Sequence, residues 1–334
     1  MPFTPDRRHV LAGFASTFAG TATSALAQDA NAVTIYTSNN QQAVQAITDE
    51  AGRALRGMKL NFITGGSGQL LRRMEAEAAK PGTDLFWSSS ANTLGAFKAL
   101  YEPYVSPQLA AIAPDLRDPA NLWTASNQHV VVQMVNTSQL GGQPAPKTWN
   151  DLFNPAFKGK IIIADPANSS TAYTILWGVR QMLGADALKK LAANTTVTGQ
   201  APAVLRSVAQ GEYAIGLTFE ANAYAYVAGG QREISLVYPA DGTFTSPEFL
   251  VLAKNGPNPA AARRVFDHIV SKEVQIALLE AAFRRPSRTD IDVAKIVKLP
   301  NIAEIKVFAI DENEAAAKRT EFLAEWTAAV AATR

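Results

Sequence analysis

Four short segments of this sequence gather small hydroxyl residues where a strand is expected to hand over to a helix: Tyr36-Thr37-Ser38-Asn39-Asn40, Gly65-Gly66-Ser67-Gly68, Ser88-Ser89-Ser90 and Asn168-Ser169-Ser170-Thr171. The first amides of a helix have no intrahelical partner, and the aligned peptide dipoles favour negative charge there. Hydroxyls beside such amides can donate to the oxygens of an anion. Each of these residues also has a plainer reading as an N-cap, contributing about 1 kcal/mol to its own helix. Magnitudes set the terms for an anion site. A micromolar complex needs about 8 kcal/mol, and an exposed helix dipole supplies only about 0.3–1 kcal/mol. Several hydrogen bonds to a charged group, at about 1.5–3 kcal/mol each, would close the gap in a cleft that excludes water.

Other chemistries find little support. The chain has no cysteine, which excludes disulfides, thiolate catalysis, iron–sulfur ligation and Cys-based zinc sites. Its three histidines, His9, His129 and His268, show no metal-ligand spacing. Gly65-Gly66-Ser67-Gly68-Gln69 sits at a strand-to-helix turn, as a hydrolase nucleophile elbow does, but lacks the final glycine of that motif. A triad would need His129, in an apolar extended run, or His268, in a helix beside Val265 and Ile269, and both read as structural. Neither a Walker A sequence nor a dinucleotide fingerprint is present. The chain reads as a binding protein without a cofactor, with serine hydrolysis the weaker alternative.

The 334 residues carry 31 Lys and Arg against 29 Asp and Glu, a net charge of +2, with 47% hydrophobic residues. That length suits two domains or one large one, and a balance so near neutral argues against a nucleic-acid partner. Arg7-Arg8 precede an uncharged stretch over 10–26 that ends in Ala25-Leu26-Ala27. This is the pattern of an export signal over 1–27, cleaved after Ala27, and the paired arginines loosely match a twin-arginine type. Its removal takes away Asp6, Arg7 and Arg8 and leaves +1. The expected mature chain is a soluble periplasmic monomer.

The hydroxyl segments must be held by alternating strands and helices. Val33-Thr34-Ile35-Tyr36-Thr37 reads as a strand, and Val44, Ile47, Ala51 and Leu55 recur at helical spacing over 41–55. The pattern predicts further strands over 58–64, 85–87, 129–135, 161–164, 213–219, 234–238 and 249–253. Helices are expected over 69–79, from Ser169 to about Met182, from Glu220, and through the tail from Pro259, ending in an amphipathic stretch over 312–333. An α/β fold with helices on both sheet faces follows. In open sheets of that kind the ligand lies outside the carboxyl ends of the strands, where the hydroxyl segments fall.

The order of these junctions resembles the bacterial ABC-transporter solute-binding proteins related to the periplasmic ferric-ion-binding proteins, and within them the subgroup that carries sugar phosphates, phosphoglycerate or 2-aminoethylphosphonate. The resemblance rests on Ile35-Tyr36-Thr37-Ser38, Thr64-Gly65-Gly66-Ser67-Gly68, Ile163-Ala164-Asp165-Pro166 with the segment from Asn168 to Thr174, Gly211-Glu212-Tyr213-Ala214-Ile215-Gly216 with Phe219-Glu220, Val237-Tyr238-Pro239 with Asp241-Gly242-Thr243, and Arg285-Pro286-Ser287-Arg288. It implies a two-lobe periplasmic binding protein of type II, each lobe a mixed sheet flanked by helices. Lobe 1 would be 28–128 plus 245–334 and lobe 2 would be 129–244, joined by hinge strands near 128–136 and 243–252. A small anionic solute would close the lobes, and an ABC permease would recognise the closed form.

Carried onto this chain, the resemblance makes Thr37, Ser38, Ser67, Gly68, Ser88, Ser169, Ser170 and Thr171 candidates for holding phosphate or phosphonate oxygens. Glu220 is the candidate for a ligand hydroxyl or ammonium, with a first-turn glutamate as its plainer reading. Asn39 and Thr243 are candidate rim contacts, Tyr36, Trp87, Tyr173 and Phe244 candidate cleft walls, and Asp165 a turn residue. Arg206, Arg284 and Arg285 are the basic residues that could face phosphate. The iron-binding branch places neighbouring tyrosines where this chain has Ala221 and Asn222. Tyr224 and Tyr226 follow two apart and point to different helix faces. A ferric-ion carrier is therefore the second reading.

Overall fold

The computed structural model describes residues 30–333, so the expected export signal lies outside the described residues. Strands β1 (Ala32–Thr37), β2 (Lys59–Thr64) and β3 (Leu85–Trp87) run parallel, with β1 between the other two. Parallel neighbours need crossovers, and helices α1 (Gln41–Ala54) and α2 (Ser67–Ala76) supply them. A short helix α3 (Ala91–Leu94) and strand β4 (Tyr101–Glu102) follow β3. The thirteen-residue strand β5 (Thr124–Asn136) then leads away from this first sheet region.

The second half repeats the arrangement. Strands β6 (Ile161–Ala164), β7 (Thr195–Thr198) and β8 (Ile215–Phe219) alternate with helices α4 (Ser170–Leu183), α5 (Ala185–Asn194), α6 (Ala201–Ala209) and α7 (Glu220–Ala228). Strand β9 (Ile234–Val237) precedes β10 (Thr245–Ala253), which returns antiparallel to both β3 and β5. Helices α8 (Pro259–Ile269) and α9 (Lys272–Ala282), the two-residue strand β11 (Arg285–Pro286), and helices α10 (Glu312–Ala317) and α11 (Arg319–Ala331) complete the chain. The hydrogen-bonded order is β2-β1-β3-β10-β5-β8-β6-β7, with β4 on β10 and both β9 and β11 on β5.

Two cores flank the long strands β5 and β10. The first gathers Ile35, Phe86 and Leu250 with Ile47, Val265 and Val274 from α1, α8 and α9. The second gathers Val132, Ile163 and Leu217 with Trp177, Leu188 and Val204 from α4, α5 and α6. The segment beyond β11 corrects one expectation. Residues 284–311 are mainly irregular rather than helical, and Ala315, Phe322, Trp326 and Ala329 pack in the second core. The final helices therefore pack against side chains of 129–244. Apolar burial decides their place: Phe322 stands edge-on to Tyr173 and Trp177, with ring centroids 5.3 and 5.2 Å away.

Close packing of the second core depends on one glycine. A Cβ on Gly178 of α4 would lie 2.6–2.7 Å from the Phe244 ring, itself stacked on Trp149 at 5.2 Å. Gly178→Ala is expected to lower the unfolding free energy by about 1–3 kcal/mol through overpacking, as read from a shift of the urea midpoint at constant slope.

Candidate anion-binding junctions

Three of the four hydroxyl segments meet at the carboxyl ends of β1, β2 and β3. Ser67 Oγ donates to Ser38 Oγ at 3.0 Å and lies 2.8 Å from Ser88 Oγ, and the Ser38 and Ser88 hydroxyls are also in direct contact. The cluster grades from exposed Ser38 through half-buried Ser67 to fully buried Ser88. Ser67 opens α2, whose first intrahelical bond runs from Leu70 N to Gly66 O at 2.9 Å. The amides of Ser67, Gly68 and Gln69 lie ahead of that bond, and Gly66, as N-cap, has no side chain to fold back on them. Hydroxyl protons rotate to suit an acceptor, so three O–H donors and a helix end converge on one place.

Local bonding explains why this junction is ordered. Thr37 Oγ1 donates to Trp87 O at 2.6 Å and accepts from Asn39 N at 3.1 Å, which ties the end of β1 to the end of β3. Asn40, not Asn39, caps α1, accepting from Ala43 N at 3.0 Å. Ser89 takes a left-handed backbone with φ of 68° and bonds through its carbonyl to Phe249 N at 2.9 Å. A non-glycine residue in that region costs of order 1–3 kcal/mol and marks a turn that its surroundings hold in place.

The fourth segment lies in the other half. Ser169 caps α4, accepting from Ala172 N at 3.2 Å, and Asp165 forms the preceding turn by accepting from Ala167 N at 2.9 Å. Exposed Ser170 and half-buried Thr171 line a recess of about 680 Å³ with Asn168, Gly199, Gln200 and Ala201. This recess and the serine cluster are separate sites, but α10 connects their supports. Tyr173, in the first turn of α4, donates from its hydroxyl to Ala315 O, while Asn92 N, in the first turn of α3, donates to Glu312 Oε2 at 3.2 Å. Burial pushes the Glu312 carboxyl up to about 7, against the opposing pull of the Asn92 and Ala91 amides.

Several expected contacts are corrected. Glu220 is buried in an ion pair with Arg285, whose Nε donates to Oε1 at 2.9 Å and Oε2 at 2.8 Å and whose Nη2 lies 2.7 Å from Oε2. Both groups are therefore committed to each other; Arg285 also donates from Nη1 to Pro300 O at 2.8 Å. Desolvation raises the Glu220 pKa and Arg285 opposes the rise. Thr243 is fully buried and donates to Val131 O at 2.6 Å, so it braces the hinge strands instead of forming a rim. Thr37 and Asn39 are likewise buried supports of the junction. The four aromatics are core: Tyr36 donates to Glu77 Oε2 at 2.8 Å, Trp87 Nε1 to Ser126 Oγ at 2.8 Å, Phe244 stacks on Trp149, and Tyr173 holds α10. Arg206 is exposed on α6.

The sequence of the chain matches the bacterial extracellular solute-binding protein family over residues 79–317. It belongs to that family. An uncharacterised protein of Haemophilus influenzae is 31% identical to this solute-binding protein over 279 residues, 77% of this chain and 78% of that one. Among solved structures, the periplasmic binding protein AfuA of Actinobacillus pleuropneumoniae, with exogenous fructose-6-phosphate bound, superposes with a TM-score of 0.78 at 26% identity, covering 89% of this chain and 98% of that one. Iron-bound HitA of Pseudomonas aeruginosa superposes with a TM-score of 0.77 at 18% identity, covering 89% and 99%. The fold is that of the type II periplasmic binding proteins, and the solute-binding protein is not an enzyme.

Sequence reasoning overlooked the polar groups on the hinge strands of this solute-binding protein. Asn127 Nδ2 donates to Glu248 Oε2 at 2.7 Å, joining β5 to β10. His129 stacks on Phe219 with centroids 4.6 Å apart and lies against Arg284. Burial first, and the Arg284 charge second, hold His129 well below the usual histidine range, so it is neutral. Polar residues inside an otherwise apolar strand such as Thr124–Asn136 were the available signal.

Two measurements test these assignments. Glu220→Ala leaves Arg285 buried without its partner and should lower stability by about 3–5 kcal/mol in chemical denaturation. Glu312 binds its proton more tightly folded than unfolded. Its contribution to stability should therefore be full below about pH 4.5 and decline as pH rises through about 7. Glu312→Gln should remove that decline from the melting temperature plotted against pH.

Proposed function

We propose that this chain is the periplasmic receptor of an ABC importer, exported on the signal over 1–27, and that its solute is a small phosphorylated or phosphonate organic anion. The observation that carries the reading is the convergence of Ser38, Ser67 and Ser88 on the unpaired amides that open α2. Lobe 1 comprises 28–128 with the segment from 245 to about 300, and lobe 2 comprises 129–244 with the final helices. Ser170, Thr171 and the recess beside them form the opposing surface. A ligand closes the lobes only if it contacts both in the closed state and so binds that state more tightly. The permease would then read the closed form.

Two further points support an organophosphate over ferric ion. AfuA, the 26%-identical structure, holds fructose-6-phosphate, whereas likeness to iron-bound HitA, at 18% identity, extends to the fold alone. Ferric ion favours hard phenolate ligands, and the Tyr224 hydroxyl here accepts from Lys298 N at 3.1 Å while its ring packs edge-on to Phe283 at 4.9 Å.

Titration calorimetry with hexose phosphates, phosphoglycerates, 2-aminoethylphosphonate and ferric citrate tests the assignment. Heat from a phosphate or phosphonate is expected; heat from iron alone, with a visible phenolate-to-iron band, would overturn it. Ser67→Asp places a like charge beside the bound anion. It should abolish binding and leave the melting temperature of the ligand-free protein within a few degrees, and unchanged affinity would remove that loop from the site.

A further inference from the structure

The serine cluster supplies donors, and Arg72, the cation beside Gly68, is exposed to solvent; a dianion drawn out of water needs donors together with a desolvated positive charge. Arg284 is a buried arginine beside the hinge strands whose charge lacks a partner within the protein. Its backbone is fixed from two sides. Phe283 ends α9 in the left-handed region with φ of 56°, Arg284 N donates back to Leu278 O at 3.2 Å, and the next two residues pair with Gln128 and Asn127 of β5. Arg284 thus lies opposite His129, and its Nη1 is 2.9 and 3.1 Å from the two ring nitrogens. A neutral imidazole offers one acceptor, so at most one of five guanidinium N–H groups is satisfied there. The buried Nε has no partner.

Arg284 is only 9% exposed, yet among the described residues no carboxylate stands within ion-pair distance of it. Its neighbour Glu248 is near enough to act through space but accepts from Asn127 instead. Removing a guanidinium from water without a partner costs several kcal/mol, and the contrast with Arg285 is direct: one residue later in the chain, the same group has a bidentate carboxylate.

The strand register points Arg284 away from the rear of the hinge. Gln128, Thr245 and Arg285 line a rear cavity of about 810 Å³ with Ile291, Val293 and Asn301. Residues alternate across a strand, so Asn127, His129, Ser246, Glu248 and Arg284 share the other face. Past the register shift that follows Glu248, Phe249 accepts from Ser88 N at 3.0 Å, so this stretch of β10 leads to the turn that carries Ser88.

We propose that Arg284 is the cationic subsite of the solute cleft, its guanidinium pairing with the oxyanion whose remaining oxygens meet Ser38, Ser67 and Ser88. This rests on the organophosphate reading above.

The test is calorimetry with glucose 6-phosphate, 2-aminoethylphosphonate and inorganic phosphate on wild type, Arg284→Lys and Arg284→Met, with ligand-free melting curves. Wild type is expected to bind at least one probe. Arg284→Lys, which keeps the charge and loses the fork, should weaken it about tenfold, and Arg284→Met at least a hundredfold. The ligand-free melting temperature of Arg284→Met should hold or rise, because an unpaired buried charge has been replaced by an apolar chain of similar reach. A merely structural arginine would instead lower it. Affinity of Arg284→Met within twofold of wild type would overturn the proposal and leave the organophosphate reading intact; if that variant does not fold, unchanged affinity in Arg284→Lys does the same. Silence of wild type toward all three probes, and toward the phosphoglycerates and other hexose phosphates titrated above, would overturn both. Loss of binding in Arg72→Gln with none in Arg284→Lys would move the cation to Arg72, the exposed side chain beside Gly68.

Discussion

Strand β5 places side chains in both cores, while its partner β10 runs into the first core from Phe244 of the second, and the geometry of the site follows from that crossing. β10 pairs with β3 through Leu250, Val251 and Leu252 and with β5 from Thr245 to Leu250. β5 continues into the second half, where it meets β8 and β9. Because two ladders cross between the cores, the parallel strands on each side are oriented by the same pair of backbones. Their carboxyl ends, with the serine cluster on one side and the Ser169–Thr171 turn on the other, are positioned by one set of hydrogen bonds. Motion between the halves must then be absorbed in these few strand residues, as expected of a hinge.

Polar groups along this crossing fall into two kinds. Some are satisfied within the protein: Glu220 with Arg285, Asn127 with Glu248, Thr243 with the Val131 carbonyl. These fix the register of segments distant in sequence, and removing one partner is costly because the other stays buried. Others remain short of partners, among them the first amides of α2 and the guanidinium of Arg284. The α2 amides lie at a solvent-accessible helix end, whereas a folded chain rarely leaves a buried donor such as the Arg284 Nε unmet. The two arginines, adjacent in sequence and equally basic, thus differ in how far the protein itself meets their charge: Arg285 has the Glu220 carboxylate, and the Nε of Arg284 has no partner.

Glu312 adds a third element to this pattern. Its carboxylate reaches across from a helix docked on the second core to amides at the start of α3. A chain segment far from the junctions in sequence thus contributes to the geometry between the halves. Hydrophobic packing of Phe322 and Trp326 holds that segment in place, so the polar contact depends on an apolar one.

Much of the local architecture was legible from the residues. The strands β3 and β6 and the start of α7 fall where the pattern put them, because short apolar runs and turn residues act over a few positions. Family membership was equally legible in the order of the strand-to-helix junctions. Partnerships were not. Nothing near Glu220 in sequence announces Arg285, 65 residues on, and nothing near Thr243 announces the Val131 carbonyl. The same holds for the convergence of Ser38, Ser67 and Ser88 and for the docking of the last helices on the second core. Local sequence determines which residues can donate, accept or pack, since that is set by side-chain chemistry and backbone preference. Which donor meets which acceptor is decided only when long-range burial brings strands together, because the free energy of those contacts does not exist until water has been excluded from between them.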